Sequence, residues 1–120
     1  MSIDIRAEDV AAAKLTPIGP KANTISGEPF ESELVMSKDD VTETGIWEVT
    51  PGVCRGSKIG MWEYMHFVSG AGTITDESGN VTEIRPGVAC FIPDGWTGVW
   101  NVTETVRKTF VISSVPGGNA

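Results

Sequence analysis

The stretch Gly52–Gly70, GVCRGSKIGMWEYMHFVSG, decides the fold predicted for this chain. It contains two short segments rich in apolar, aromatic and β-branched residues, Val53–Ile59 and Glu63–Val68, with Gly60 between them. Such segments separated by a glycine are typical of a β-hairpin. A second stretch, Gly87–Asn101 (GVACFIPDGWTGVWN), has the same character. Together they predict a small β-barrel with a pocket.

Further segments of strand-like composition lie on both sides of the hairpin, each bounded by Gly, Pro, Asp or Asn. The predicted strands are Ser32–Met36, Ile46–Val49, Val53–Ile59, Glu63–Val68, Gly72–Thr75, Val81–Ile84, Val88–Ile92, Gly98–Val102 and Val106–Ile112. Gly79, Gly87 and Gly95 follow residues that favour turns, and each is expected to lie in a turn. Many short strands without helical periodicity between them predict an all-β sandwich or barrel.

Length and charge restrict the possible functions. A chain of 120 residues forms a single domain that buries roughly two-thirds of its unfolded surface. The net charge of −7 argues against a nucleic-acid partner. No apolar run reaches the length of a membrane span, and the first fifteen residues, MSIDIRAEDVAAAKL, do not have the pattern of a secretory signal. We therefore expect a soluble, cytoplasmic protein.

The ends of the chain differ from its middle. Residues 1–29 are expected to form an N-terminal arm, with a weak helical pattern over Glu8–Lys14 and two prolines and a glycine that break regular structure near residue 18. Residues 30–113 form the predicted barrel, and residues 114–120 form a C-terminal tail. We expect the arm to wrap around or pair with another element.

The two glycine-containing stretches resemble the cupin superfamily, whose motifs read G(X)5HXH(X)3,4E(X)6G and G(X)5PXG(X)2H(X)3N. Glu63 and Gly70 match the end of the first motif, and Gly87, Pro93 and Gly95 match the second at its spacing. The resemblance implies a single-domain, RmlC-like jelly-roll β-barrel.

Within this superfamily, residues 30–113 are most similar to small single-domain cupins related to ureidoglycine aminohydrolase. The segments that carry the resemblance are GIWEVTPG (45–52), Glu63–Gly70 and FIPDGWTGVWNVTETVRKTFVI (91–112). Cupins of this size are commonly homodimers that pair or swap edge strands. The resemblance therefore implies a homodimer in which the N-terminal arm takes part.

The chain departs from the cupin motifs at the metal ligands. Counted from Gly52, Lys58 and Gly60 stand at the two histidine positions of the first motif, and Gly98 stands at the histidine position of the second. Counted back from Glu63, the pair becomes Gly56 and Lys58, or Ser57 and Ile59 with the shorter spacer. A metal site usually needs at least three protein ligands. The chain has one histidine, so a three-histidine site within one subunit is impossible.

Two weak metal sites remain as alternatives to no metal cofactor. Glu63 and His66 form the first, although side chains alternate faces along a strand and these two should diverge. We expect His66 instead to be hydrogen-bonded between sheets or at a dimer interface. The second uses Cys54 and Cys90 if they converge; otherwise we expect two buried thiols without a disulfide.

The pocket is predicted to bind a small molecule through a few polar and aromatic residues. Lys58 is expected to pair with an inward Glu63, because a lone buried carboxylate is costly. Trp96 and Trp100 flank Gly98, whose missing side chain leaves room for a flat or apolar ligand. The complete predicted ligand-binding set is Lys58, Glu63, Met65, Trp96, Gly98 and Trp100. Trp47 and Trp62 are assigned to the core or an interface.

Arg107 and Lys108 are adjacent in the last predicted strand, so only one of them can face the barrel. We assign that position to Arg107, with Glu104 or Glu48 as its partner.

Three functions from different classes remain open. The first is a metal-independent cupin that binds a small polar or aromatic metabolite. The second is an enzyme of the ureidoglycine aminohydrolase type, with Glu63 as general base or carboxylate ligand. The third is a structural or regulatory dimer with a filled barrel. Fold alone does not decide among them.

Overall fold

The computed structural model describes residues 4–116, which form one short helix and nine strands. The elements are α1 (Ala7–Ala12), β1 (Thr16–Pro20), β2 (Thr24–Gly27), β3 (Phe30–Lys38), β4 (Thr42–Val49), β5 (Gly52–Ser57), β6 (Met61–Asp76), β7 (Val81–Ile84), β8 (Ala89–Ile92) and β9 (Thr97–Ser114). Residues 1–3 of the predicted arm and 117–120 of the predicted tail lie outside the described residues.

The strands form one curled antiparallel sheet around a single core. Its main path runs β1-β3-β4-β9-β5-β2, and β6 joins it through β9 while also pairing with β7 and β8. The core contains Val49, Met65, Phe67, Ile84, Val106 and Phe110, among others. The predicted fold class, an all-β jelly-roll barrel, is confirmed. No helix in the described part of the chain is long and apolar enough to cross a membrane.

Two strands are longer than predicted. Glu63–Val68 and Gly72–Thr75 are both part of β6, and Gly98–Val102 and Val106–Ile112 are both part of β9. The β6–β9 ladder continues through three register shifts between Phe67 and Gly72. Gly70 lies among these bulges with φ +104°, a conformation that favours glycine. The glycines therefore bend the strands without ending them.

The N-terminal segment is partly regular, contrary to the prediction that its prolines and glycine would break it. Residues Thr16–Pro20 form β1, and the weak helical pattern corresponds to α1. Within residues 4–116, β1 is an edge strand that pairs only with β3, and its ladder shifts register between Pro17 and Gly19. Proline is tolerated there because an edge strand has one unpaired side. β2, which pairs with β5, forms the other end of the main path.

The three predicted turns are confirmed. Gly79, Gly87 and Gly95 each have φ +89°, and an added Cβ would meet no atom within 4 Å at any of them. The turn around Gly79 is closed by Asp76, whose carboxylate accepts hydrogen bonds from Asn80.

Candidate functional site

A cavity of about 330 Å³ lies between the strands and is lined by residues of β1, β3, β4, β5, β6, β8 and β9. Four of the predicted ligand-binding residues line it, namely Lys58, Glu63, Trp96 and Trp100. Trp47 and Lys108, which were not predicted, line it as well. The cavity reaches the protein surface near Ile18, which is half-exposed.

Lys58, Glu63 and Lys108 form a lysine–carboxylate cluster in the wall of this cavity. Glu63 Oε1 lies 3.0 Å from Lys58 Nζ, and Glu63 Oε2 lies 2.6 Å from Lys108 Nζ. The side chains of Glu63 and Lys108 are 3% and 6% exposed, while that of Lys58 is 22% exposed. The expected ion pair between Lys58 and Glu63 is thus present, and a second lysine completes it.

The Lys108 ammonium group is also surrounded by soft and aromatic groups. Its Nζ lies 4.4 Å from the ring centroid of Trp47 and 5.0 Å from that of Trp100. The Sδ atom of Met65 lies 3.8 Å away on the buried side. Tryptophan faces attract cations, more strongly where water is excluded. The two rings therefore offset part of the cost of burying the positive charge of Lys108.

The sharing of one carboxylate by two lysines shifts two pKa values. Burial by itself raises the pKa of Glu63, but the charges and hydrogen bonds of Lys108 and Lys58 outweigh it, so this pKa lies below its ordinary value. Burial lowers the pKa of Lys108, and the attraction of Glu63 offsets only part of this effect. Glu63 is therefore a weak proton acceptor while both lysines remain charged.

The backbone that carries Lys58 is fixed by the turn that precedes β9. The Lys58 amide donates a hydrogen bond to the Trp96 carbonyl at 2.9 Å, and the Gly95 amide donates one to the Lys58 carbonyl at 2.6 Å. The Gly60 amide donates to Asp94 Oδ1 at 2.7 Å. The Pro93-Asp94-Gly95 turn thus places Lys58 directly after β5, although Lys58 is not part of a ladder.

The prediction that Arg107 faces the barrel is wrong, because Lys108 occupies that face. Arg107 lies on the opposite face of β9, where its guanidinium group donates hydrogen bonds to the carbonyl oxygens of Val10, Ala11 and Ala13. It also forms an ion pair with Glu48 at 3.0 Å, which was one of its two predicted partners. Arg107 thus attaches the end of α1 to the sheet.

The sequence did contain the signal for Lys108. Val106 and Phe110 are buried core residues, and Lys108 lies between them with the same alternation. Arg107 lies two residues after the exposed Thr105, and therefore on the same outer face of the strand. An uninterrupted period of two therefore assigns the lysine to the inner face.

Trp47 was assigned to the core or an interface, and its contact with Lys108 was missed. The two residues are direct partners in the β4–β9 ladder. The Nε1–H of Trp47 donates a hydrogen bond to Glu31 Oε1 at 3.0 Å, so the ring is held across the cavity. The other tryptophan assigned in that way, Trp62, is half-buried and lies 5.7 Å from the ring of Phe91.

The space predicted at Gly98 is filled by the protein itself. A Cβ atom added to Gly98 would collide with the carbonyl oxygen of Thr75 and would lie 2.6 Å from Trp96 Cη2. The room expected at the position of the missing side chain is therefore absent, although Gly98 borders a second cavity together with Ser57, Thr75 and Thr97. Met65 is fully buried in the core behind the cluster and contacts Lys108 instead of lining the cavity.

The donor set does not fit the divalent metal that the cupin fold implies. Lys58 stands at a histidine position, and both oxygens of Glu63 contact ammonium groups. His66 is exposed on the other face of β6, which confirms that it diverges from Glu63 and corrects the expectation that it packs between sheets. Among residues 4–116, no group of three or more His, Cys, Asp or Glu side chains could hold a metal ion.

The two cysteines are free thiols. Cys54 is buried and lines the cavity, whereas Cys90 is partly buried and packs against the core. Burial raises the pKa of both thiols, so neither is an activated nucleophile.

Comparisons with known proteins agree with this fold. The family described as the EutQ-like cupin domain matches residues 36–110. A search of curated proteins gave no match. Among solved structures, a protein of unknown function of the DUF861 family from Pseudomonas syringae pv. tomato has 25% identity and a TM-score of 0.75 over 84% of this chain. The chain spans only 45% of the length of that protein.

Two further structures are similar over different parts of the chain. A DUF861 family protein from Thermotoga maritima has 28% identity and a TM-score of 0.51, covering 54% of this chain and 73% of its own. The ectoine synthase from P. lautus has 16% identity and a TM-score of 0.66, covering 94% and 78% respectively, and shows the shared fold alone. Because the family match covers more than half of the sequence, the chain belongs to the EutQ-like cupin domain family.

Proposed function

We infer that the cavity binds a small anionic metabolite with a flat or apolar part, without the three-histidine metal site of other cupins. The observation that carries this proposal is the lysine–carboxylate cluster in a cavity walled by tryptophans. Ligand pockets in proteins are mostly apolar with a few placed polar groups. A cavity of about 330 Å³ is within the size range of such pockets.

The cluster favours a negatively charged group. Two ammonium groups share one carboxylate, so the cluster carries one excess positive charge at the inner end of the cavity. Lys58 is its most exposed member, and its ammonium group can contact a ligand without leaving Glu63 unpaired. A ligand carboxylate placed beside Lys58 would form charge-assisted hydrogen bonds in a site with little water.

The walls favour a flat ligand. Trp96 is half-buried and its ring lies next to Gly98 and Gly56, so one ring surface borders the cavity. Aromatic rings supply large contact areas at small entropic cost. The cavity lining as a whole is balanced, with four cationic side chains (Lys21, Arg55, Lys58 and Lys108) and four carboxylates (Glu31, Glu33, Glu43 and Glu63), so the positive excess is confined to the lysine–carboxylate cluster.

Benzoate and benzamide form a matched pair of probes, because both carry the same ring and only benzoate is charged. We expect benzoate to bind at least about tenfold more tightly by calorimetry, which corresponds to about 1.4 kcal/mol. Lys58→Met should remove this preference, while the control Lys38→Met should retain it because Lys38 is 66% exposed and pairs with Glu43. Equal binding of the two probes, or no saturable binding of either, would contradict the proposal.

The enzyme of the ureidoglycine aminohydrolase type remains the alternative, supported by the motif position of Glu63 inside the cavity. In that reading Glu63 would act as a general base or metal ligand, but the lowered pKa and the two lysine contacts reduce its basicity. Metal analysis of protein purified without an affinity tag or chelator tests it. Stoichiometric Mn, Fe, Zn or Ni would favour the enzyme over the metal-independent binding protein. The open cavity argues against the third reading, a filled barrel.

We also propose a homodimer formed through edge strands and the N-terminal arm. The two ends of the main sheet path, β1 and β2, both come from the arm. Each carries an exposed isoleucine, Ile18 at 51% and Ile25 at 50% exposure. Size-exclusion chromatography with light scattering should give twice the monomer mass. Ile25→Glu should shift this toward the monomer, and a monomeric parent chain would refute the proposal.

A further inference from the structure

We propose that Lys108 forms a reversible imine with a small 2-oxo acid bound in the cavity. The inference rests on the proposed binding function, since it requires the cavity to admit a small anion. It adds covalent chemistry at one named atom, Lys108 Nζ, and it combines the motif glutamate Glu63 with two lysines that are not metal ligands.

The geometry around Lys108 Nζ meets three requirements of imine chemistry. Lys108 is one of the residues that line the cavity, and we expect the carbonyl group of a bound ligand to reach its amine. A carboxylate lies 2.6 Å away and can exchange a proton with it. Two tryptophan rings and Met65 surround the nitrogen and keep it apart from bulk water. Desolvation is one of the ways in which proteins activate lysine as a nucleophile.

The step balances in atoms and charge. Lys108 transfers one ammonium proton to Glu63; the lysine charges oppose this step, but burial favours it because it neutralises two buried charges. The neutral amine then attacks the ketone carbon to give a carbinolamine. Glu63 returns its proton to the departing hydroxyl group, and water leaves as the carbon–nitrogen double bond forms. A second nitrogen-bound proton moves to the former carbonyl oxygen on the way to water. The net change converts an ammonium ion and a ketone into an iminium ion and water, with no oxidant or reductant.

The surroundings of the nitrogen suit the product as well as the reactant. Both the ammonium ion and the iminium ion carry one positive charge at Nζ. Glu63 pairs with that charge, and the faces of Trp47 and Trp100 attract it. Glu63 and the two tryptophan rings are therefore already placed to stabilise the positive charge of the iminium ion. Burial also lowers the pKa of Lys108, which makes the neutral amine more accessible.

The position of Lys58 favours a substrate in which the ketone is bonded directly to a carboxylate. Its Nζ and that of Lys108 lie on the two different oxygens of Glu63, at 3.0 and 2.6 Å. A 2-oxo acid has its carboxylate bonded directly to its carbonyl carbon, so the carboxylate can contact Lys58 while the carbonyl carbon meets Lys108. Lys58 is then a positioning residue.

Borohydride reduction tests the inference, because it converts an imine into a stable secondary amine. The full chain is incubated with pyruvate, reduced, and digested, and the modified lysines are identified by mass spectrometry. We expect modification at Lys108 to exceed that at the exposed Lys38 by at least about tenfold. Acetone, which lacks the carboxylate, should modify Lys108 much less. Lys58→Met should lower the pyruvate modification of Lys108 toward the acetone value, whereas Lys38→Met should leave it unchanged.

The outcomes separate this inference from the proposed function. Modification spread equally over exposed lysines, or found on Lys58 alone, would overturn the imine at Lys108. If benzoate still bound with its expected preference in that case, the binding function would stand without the covalent step. If neither benzoate nor pyruvate bound, both proposals would fail together. Site mapping on the unaltered chain makes the result independent of whether Lys108→Met folds.

Discussion

The replacement Glu63→Gln tests the energetic role of the lysine–carboxylate cluster. It keeps the shape of the side chain and removes its charge, so two ammonium groups lose their common partner. Lys58 is 22% exposed and can turn toward water, whereas Lys108 is enclosed by the core and two tryptophans. The cost therefore falls mainly on Lys108. Removing one partner of a buried ion pair typically costs about 3–5 kcal/mol.

An upper limit follows from the ability of Lys108 to lose its proton. At about 1.36 kcal/mol per pH unit, neutralising a lysine of ordinary pKa, about 10.4, costs about 4.6 kcal/mol at pH 7. At pH 9 the same step costs only about 1.9 kcal/mol. The charge-related loss of stability should therefore be about 3–4.6 kcal/mol at pH 7 and should not exceed about 2 kcal/mol at pH 9.

The difference in stability between the parent chain and the Glu63→Gln variant should also become smaller in acid. The folded pKa of Glu63 lies below its ordinary value, so its charge contributes stability that is complete above the unfolded pKa of about 4.3. That contribution is lost as the pH falls through the folded pKa. The Gln variant has no such group, so the stabilities of the two proteins should begin to converge below the unfolded pKa of about 4.3 and become similar only below the lower folded pKa of Glu63.

Urea unfolding followed by tryptophan fluorescence measures the free energy of unfolding at about pH 7, where the loss should be largest, and at about pH 3.5 and 9, where it should be smaller. Glu104→Gln is the matched control, because Glu104 is an exposed carboxylate on β9, and it should change stability by less than about 0.5 kcal/mol. A loss below about 1 kcal/mol for Glu63→Gln at pH 7, or a loss that does not depend on pH, would refute the reasoning.

Three further replacements test other parts of the structure. Arg107→Met should lower the free energy of unfolding by about 1–3 kcal/mol and increase amide hydrogen exchange in α1, because the hydrogen bonds to the carbonyl oxygens of Val10 and Ala13 are lost. The control Arg85→Met, at an exposed site, should have neither effect. Unchanged exchange in α1 would contradict the role of Arg107 in attaching this helix. Gly98→Ala should cost about 1–3 kcal/mol in thermal unfolding because its Cβ collides with the Thr75 carbonyl, so a neutral result would contradict the close approach. His66→Gln should change unfolding by less than about 0.5 kcal/mol, and a larger effect would indicate a role beyond an exposed strand position.

The fold could be predicted because its signals are local. Short alternating segments and turn residues such as Gly79 specify strands and turns without knowledge of the rest of the chain. The boundaries of β6 and β9 could not be predicted, because whether Gly70 ends a strand or bends it depends on the partner strand. The edge position that permits the prolines of β1 likewise depends on the whole sheet.

The candidate site was predictable only in part. Lys58 and Glu63 followed from their positions in the motif, and their ion pair is present. Lys108 was assigned to the wrong face because a buried arginine was preferred on general chemical grounds over the alternation that the sequence contains. The contact of Trp47 with Lys108 depends on strand pairing, which the single sequence does not encode locally. The filling of Gly98 depends on the conformation of Trp96.

β9 connects the inside and the outside of the barrel through two consecutive residues. Lys108 reaches the cavity, Arg107 holds α1 on the other face, and the strand pairs with β4, β5 and β6. An insertion or deletion of one residue in this strand would exchange the two faces and disturb three ladders at once. In evolution, the pocket and the attachment of α1 can therefore change independently by substitution. A change in the length of β9 would disrupt both.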